Sequence, residues 1–113
     1  MIRETDKRLQ SDTKTKTSLL NWSVENNQCE LLKLILDKID NRISVLNTMD
    51  REGNILLHIA ALRGFADVCR VLVESGADWT MKNLKRESVL QLANGRQTTQ
   101  YFESLFSKEH TSV

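Results

Sequence analysis

At 113 residues, with 40% hydrophobic and 27% charged side chains, the chain has the size and mix of one ordinary domain. Its net charge of +1 gives no electrostatic reason to expect a nucleic-acid or membrane partner, and no apolar run is long enough to span a bilayer. Two cysteines, Cys29 and Cys69, are too few for a disulfide scaffold and read as reduced thiols; residues 1–8 lack the apolar core of a signal peptide. The expectation is an intracellular protein, cytoplasmic or nuclear.

Residues 1–17 are polar and charged and read as an N-terminal arm, in which Ile2 and Leu9 alone offer little to anchor. Ser18 is the expected cap of a first helix over residues 19–26, with residues 28–38 as its antiparallel partner. Trp22 falls in a slot that is apolar again at Ile59 and Leu92, so it is expected to pack. Residues 40–49 carry an insertion whose Ile43, Val45 and Leu46 suit either a longer second helix or a packed loop.

Residues 50–78 hold the clearest pattern. Asp50 and Gly53 suit a tight turn, Leu57 and His58 open a helix, and Ala60 and Ala61 are small enough for close helix approach. Gly64 is placed to end that helix, and Val68, Val71 and Leu72 recur at helical spacing to give a second one its buried stripe. Gly76, Ala77 and Asp78 mark the exit. The pattern recurs on both sides: Leu57 corresponds to Leu20 and Leu90, Gly64 to Asn27, and Leu72 to Ile35 and Leu105.

The last copy is degenerate. Asn83 stands for the aspartate, Arg86 for the turn glycine and Gln97 for the glycine between helices, while Gly95 comes early. In its last helix Tyr101 and Leu105 are expected to face inward. Phe102 and Phe106 are then left as an exposed pair suited to self-association.

These offsets, at a period of about 33 residues, resemble the ankyrin repeat. The resemblance implies an all-α ankyrin-repeat solenoid of stacked antiparallel helix pairs with β-hairpin-type loops. It divides the chain into an arm (1–17), three repeats (18–49, 50–82 and 83–106) and a flexible tail (107–113). Proline, usual in the family at the first residue of each leading helix, is absent, with Leu19, Leu56 and Val89 in those places.

The resemblance also implies a non-enzymatic protein-protein interaction module that binds through hairpin tips and the exposed side of the leading helices. Carried over, that surface comprises Arg51, Glu52, Asn54, Leu62 and Arg63 in the central repeat, and Leu84, Lys85, Glu87, Gly95 and Arg96 in the third. The first repeat adds Lys14, Thr15, Thr17, Glu25 and Asn26. Arg51, Arg63, Lys85 and Arg96 give a positive bias that would suit an acidic segment of a partner.

Catalytic readings are thin. The slot of His58 is filled by Asn21 and Gln91 in the other copies, which suits a polar group at a helix start better than a general base. Cys69 as a reactive thiol lacks an orienting base, no cofactor-binding glycine loop exists, and no metal-ligand spacing is present. Two alternatives stay open, a small regulatory protein with a reactive Cys69 and a capping fragment of a longer solenoid. The chain end, Thr111-Ser112-Val113, matches the short C-terminal pattern read by PDZ domains.

Overall fold

Three helix pairs, one for each copy of the pattern, stack side by side in a computed structural model that describes the backbone of residues 13–111 and the side chains of residues 18–107. The first pair is α1 (Thr13–Glu25) and α2 (Cys29–Lys38), followed by the short α3 (Arg42–Leu46). The second is α4 (Leu56–Arg63) and α5 (Ala66–Glu74); the third is α6 (Val89–Leu92) and α7 (Arg96–Thr111). Leading helices pack on leading helices (α1 on α4, α4 on α6) and trailing on trailing (α2 on α5, α5 on α7). No β-strand occurs among the described residues.

The core follows the helical period. Leu20 and Val24 on α1, Leu32 on α2, Leu57, Ala60 and Ala61 on α4, and Val68, Cys69 and Leu72 on α5 are all fully buried. Each large apolar side chain so enclosed contributes about 1.5–3 kcal/mol. The two alanines matter by being small, since α4 lies against α1, α5 and α6 at once.

Turns between paired helices rest on left-handed residues. Gly64 caps α4 at φ +78°, with its own N–H bonded to Ala61 O (3.1 Å) and the next N–H, of Phe65, bonded to Ala60 O (3.1 Å). A Cβ at Gly64 would lie 2.8 Å from Asn94 O. In the first repeat Asn27 takes the same role at φ +57°, and Gln28 N donates to Ser23 O (2.8 Å).

The N-terminal boundary differs from expectation. α1 begins by Thr13, so Ser18 lies within the helix rather than at its cap. Residues 13–17 contain neither glycine nor proline, and nothing in them stops helical propagation from Leu19 toward the N-terminus.

The insertion resolves into a separate helix. Ile39, in extended conformation, ends α2, and α3 then seats Leu46 in the core while Ile43 stays exposed. After α3, the Asn47 side chain reaches the exit loop of the second repeat, its Oδ1 accepting from Asp78 N (2.7 Å) and its Nδ2 donating to Gly76 O (3.3 Å).

The third repeat corrects the reading of its aromatic residues. Gly95, at φ +89°, and not Gln97, separates the helices, so α6 is a single turn and α7 enters at Arg96. Phe102, the counterpart of Cys69, is fully buried as Cys69 is, and Tyr101 is half-buried with Arg70 5.6 Å from its ring centroid. Phe106 meets Trp79 edge-on at 4.9 Å. Phe102 and Phe106 therefore do not form the exposed pair expected for self-association, Phe102 being buried and Phe106 half-buried. Farther on, α7 continues through Ser107 to Thr111, a stretch expected to belong to a flexible tail. Ser112 and Val113, which complete the PDZ-type ending, lie outside the described residues, as do residues 1–12.

Gly64→Val adds two burdens, a β-branched side chain at positive φ and a collision with Asn94 O. Chemical denaturation is expected to show a loss of at least about 1–3 kcal/mol. An unchanged midpoint would mean that the cap is not as described.

Candidate functional site

Two hairpin loops, here called fingers, project beside the leading helices and are built alike. In the central finger Asp50 Oδ1 accepts from Glu52 N and Asn54 N, both at 2.9 Å, and Gly53 N donates to Asp50 O at 3.0 Å. In the third, Asn83 Oδ1 accepts from Lys85 N (3.0 Å) and Glu87 N (2.9 Å), and Arg86 N donates to Asn83 O (2.9 Å). Gly53 has φ +80° and Arg86 φ +63°, so arginine occupies the left-handed place that glycine fills in the central copy.

Space explains why only one of the two must be glycine. A Cβ on Gly53 would sit 2.6 Å from Leu84 N, because the third finger lies directly upon the second. Among the described residues no further finger covers Arg86, which is exposed and bears only the strain of its own φ.

The substitution of asparagine for aspartate also has a use. Asn83 Nδ2 donates to Asn54 Oδ1 and to Glu87 Oε1, both at 2.9 Å, and Leu84 N donates to Glu52 O at 3.0 Å. An aspartate could supply the turn bonds but not the amide bridge between fingers.

His58 holds the base of the fingers. Its Nδ1 accepts from Ile55 N (3.1 Å) and its Nε2 lies 3.1 Å from Met81 O, which fixes the neutral tautomer with the proton on Nε2. Burial depresses its pKa below the ordinary 6.5, only partly offset by the bond to Met81. In the third repeat Gln91 does the corresponding work, with Oε1 accepting from Ser88 N at 2.8 Å.

Between fingers and leading helices run two clefts of about 260 and 330 Å³. One is lined by Glu52, Asn54, His58, Ile59, Leu62, Asn83, Lys85, Glu87 and Leu92. The other is lined by Asn21, Glu25, Thr48, Met49, Asp50, Asn54, Leu56 and Ile59. Asn54 and Ile59 belong to both, so the clefts form one trough.

Of the residues expected from sequence, Glu52, Asn54, Leu62, Lys85 and Glu87 come together in the first cleft, and Glu25 in the second. Arg51, Arg63, Leu84 and Arg96 are exposed but outside the linings. Charge in the clefts accordingly runs against the expected positive bias, with Glu25, Asp50, Glu52 and Glu87 facing the single cation Lys85.

The trough also has an apolar floor that sequence reasoning misplaced. Trp22 is 51% exposed, on the same side of α1 as Glu25 three residues on. Its counterparts Ile59 and Leu92 are half-buried, Ile59 in both clefts and Leu92 in the first. An apolar slot in all three copies fits a core and a groove floor equally well; here Ile59 and Leu92 line the clefts, and Trp22 is exposed outside both linings. Met49 (52%) and Leu62 (57%) extend the floor.

A model of the ankyrin-repeat family, in 3 copies, matches residues 1–105. The chain belongs to the ankyrin-repeat family. It is 35% identical over 85 residues to the mouse B-cell lymphoma 3 protein homolog, covering 75% of this chain and 18% of that protein. To human NF-kappa-B inhibitor zeta it is 31% identical over 85 residues, covering 72% and 12%. The solved ankyrin repeat domain of Bcl-3, described as a member of the IkappaB protein family, superposes with a TM-score of 0.64 at 32% identity, covering 74% of this chain and 35% of that one. The chain thus spans less than a quarter of these two full-length relatives. As an ankyrin-repeat array it is a protein-protein interaction module. Among the described residues no helix is long and apolar enough to cross a membrane, and no cluster of metal-ligating side chains occurs.

Two expectations test this geometry. Asn83→Asp sets a carboxylate against Glu87 and removes the donor to Asn54, and urea unfolding is expected to register a loss of about 1–3 kcal/mol. His58 makes stability depend on pH: with its folded pKa depressed, the unfolded chain binds the proton first. Stability is therefore full above the unfolded value and declines as pH falls through about 6.5 toward the folded pKa. Melting curves between about pH 7 and pH 5 should fall more steeply for the native chain than for His58→Gln. Parallel curves would show that His58 is not the group responsible.

Proposed function

We infer that a protein partner binds along the trough, its apolar side chains on Trp22, Ile59, Leu62 and Leu92 and its polar groups against the finger tips. The observation that carries this reading is the exposure of Trp22 (51%) and Leu62 (57%) beside the shared slot of the leading helices. Folding gains little from large apolar side chains left half in water, whereas a partner that covers them gains most from an aromatic anchor.

Arg51, Arg63, Leu84 and Arg96 form the rim of this surface, with Glu52, Asn54, Lys85 and Glu87 deeper. An acidic stretch of a partner would find Arg51, Arg63 and Arg96 on the rim and not in the clefts, where carboxylates predominate. Association in this reading is led by apolar contact, and rim charge sets the approach.

The chain acts by binding and not by catalysis. Cys69 is fully buried, and burial pushes its thiol up to about 12, which leaves almost no thiolate at neutral pH. Both ring nitrogens of His58 are engaged in holding backbone. The two free thiols suit a reducing, intracellular compartment.

The test begins by capturing partners with the tagged chain and continues by titrating an identified partner. Trp22→Ala and Leu62→Ser are each expected to weaken binding roughly tenfold or more. Arg63→Glu should act mainly on the association rate and its salt dependence. A control at the far end, Glu103→Ala, should bind as the native chain does. Equal affinity for native, Trp22→Ala and Leu62→Ser proteins would rule the trough out.

A further inference from the structure

The two ends of the array are finished differently. On α7, the outer positions Gln97, Gln100, Glu103 and Ser104 are exposed and polar. On the first repeat, Leu19 is 47% exposed, whereas its counterpart Leu56, which has α1 beside it, is 7% exposed. Leu34 is 58% exposed, while its counterpart Val71 is half-buried. The first pair thus exposes apolar positions whose counterparts in the second are covered.

Charge around Leu34 indicates what fits there. Glu30, Leu34 and Lys38 stand four residues apart, so they form one row along α2, and all three are exposed. Leu34 is near the middle of the helix, with Glu30 in the first turn and Lys38 in the last. Turned end for end about Leu34, the row meets itself in opposite charge: Glu30 faces Lys38 of the other helix, Leu34 faces Leu34, and Lys38 faces Glu30. The antiparallel arrangement also opposes the two helix dipoles. Among the described residues Glu30 pairs with Lys33 alone, at 3.9 Å and largely in water, a contact too weak to withhold it.

We propose that α2 is a self-association surface, across which two copies of this chain pair their α2 helices antiparallel about a two-fold axis through Leu34. Such an interface is isologous, which is the commonest closed symmetry, and it leaves the trough open for a partner. A head-to-tail chain of copies is not favoured, because the polar face of α7 offers Leu34 no apolar counterpart. A single helix pair is a small interface, so the dimer is weak and forms at high micromolar concentration.

Sedimentation equilibrium on the full chain tests this, with circular dichroism confirming that each variant is folded. The native chain is expected to show a monomer-dimer equilibrium, and Leu34→Asp to remain monomeric over the same range. Glu30→Lys and Lys38→Glu, each alone, place like charges opposite one another twice per dimer and should weaken association more than about tenfold. In a mixture of the two variants, one chain carries only positive charge in the row and the other only negative. Both contacts then pair opposite signs, and the mixture should associate as the native chain does. A native chain that is monomeric at millimolar concentration overturns the proposal. Association unaffected by Leu34→Asp, or single-charge variants that fail to rescue each other, does so equally.

Discussion

The slenderness of α4 is the constraint on which the rest of the structure depends. This helix has α1 on one side, α6 on the other and α5 behind it, and its Ala60 and Ala61 are fully enclosed. A larger side chain at either position would hold the leading helices apart. Separated helices would in turn lift the third finger off the second, where Leu84 N now reaches Glu52 O and the backbone leaves no room for a Cβ at Gly53. The trough has its shape because these approaches are close, and its floor is the row of side chains that faces outward once the alanines face in.

Much of this was legible in the residues. Glycine at 53 and 64 marked the turns, alanine at 60 and 61 the helix contact, and the recurrence at Leu20, Leu57 and Leu90 set the stacking register. These positions are readable because backbone geometry admits few residue types there. The finger architecture was harder to see in the third copy, where Asn83 and Arg86 looked like decay. Both retain the turn, and Asn83 adds a donor between fingers that aspartate cannot supply.

What was not legible depended on direction more than on residue type. Trp22, Ile59 and Leu92 form an apolar slot whether they face a core or a groove, and period alone does not say which side of a leading helix is covered. Phe102 takes the slot of Cys69, which is fully buried in the central repeat, and a stripe drawn through Val68, Val71 and Leu72 left that slot out. The sign of the cleft charge likewise depended on which fingertip residues turn inward. Lys85 does, whereas Arg51 does not.

Asn47 alters how this array comes apart. In a stack of repeats each unit normally holds only to its neighbours through helix faces, and terminal units can fray one at a time. Here the insertion of the first repeat crosses over to grip Gly76 and Asp78 at the exit of the second, in addition to the contacts of α1 with α4. The first repeat cannot peel away by losing its helix contacts alone. Opening it also releases the loop that leads toward the third finger, so melting of this end spreads into the middle, and the three units approach a single cooperative transition.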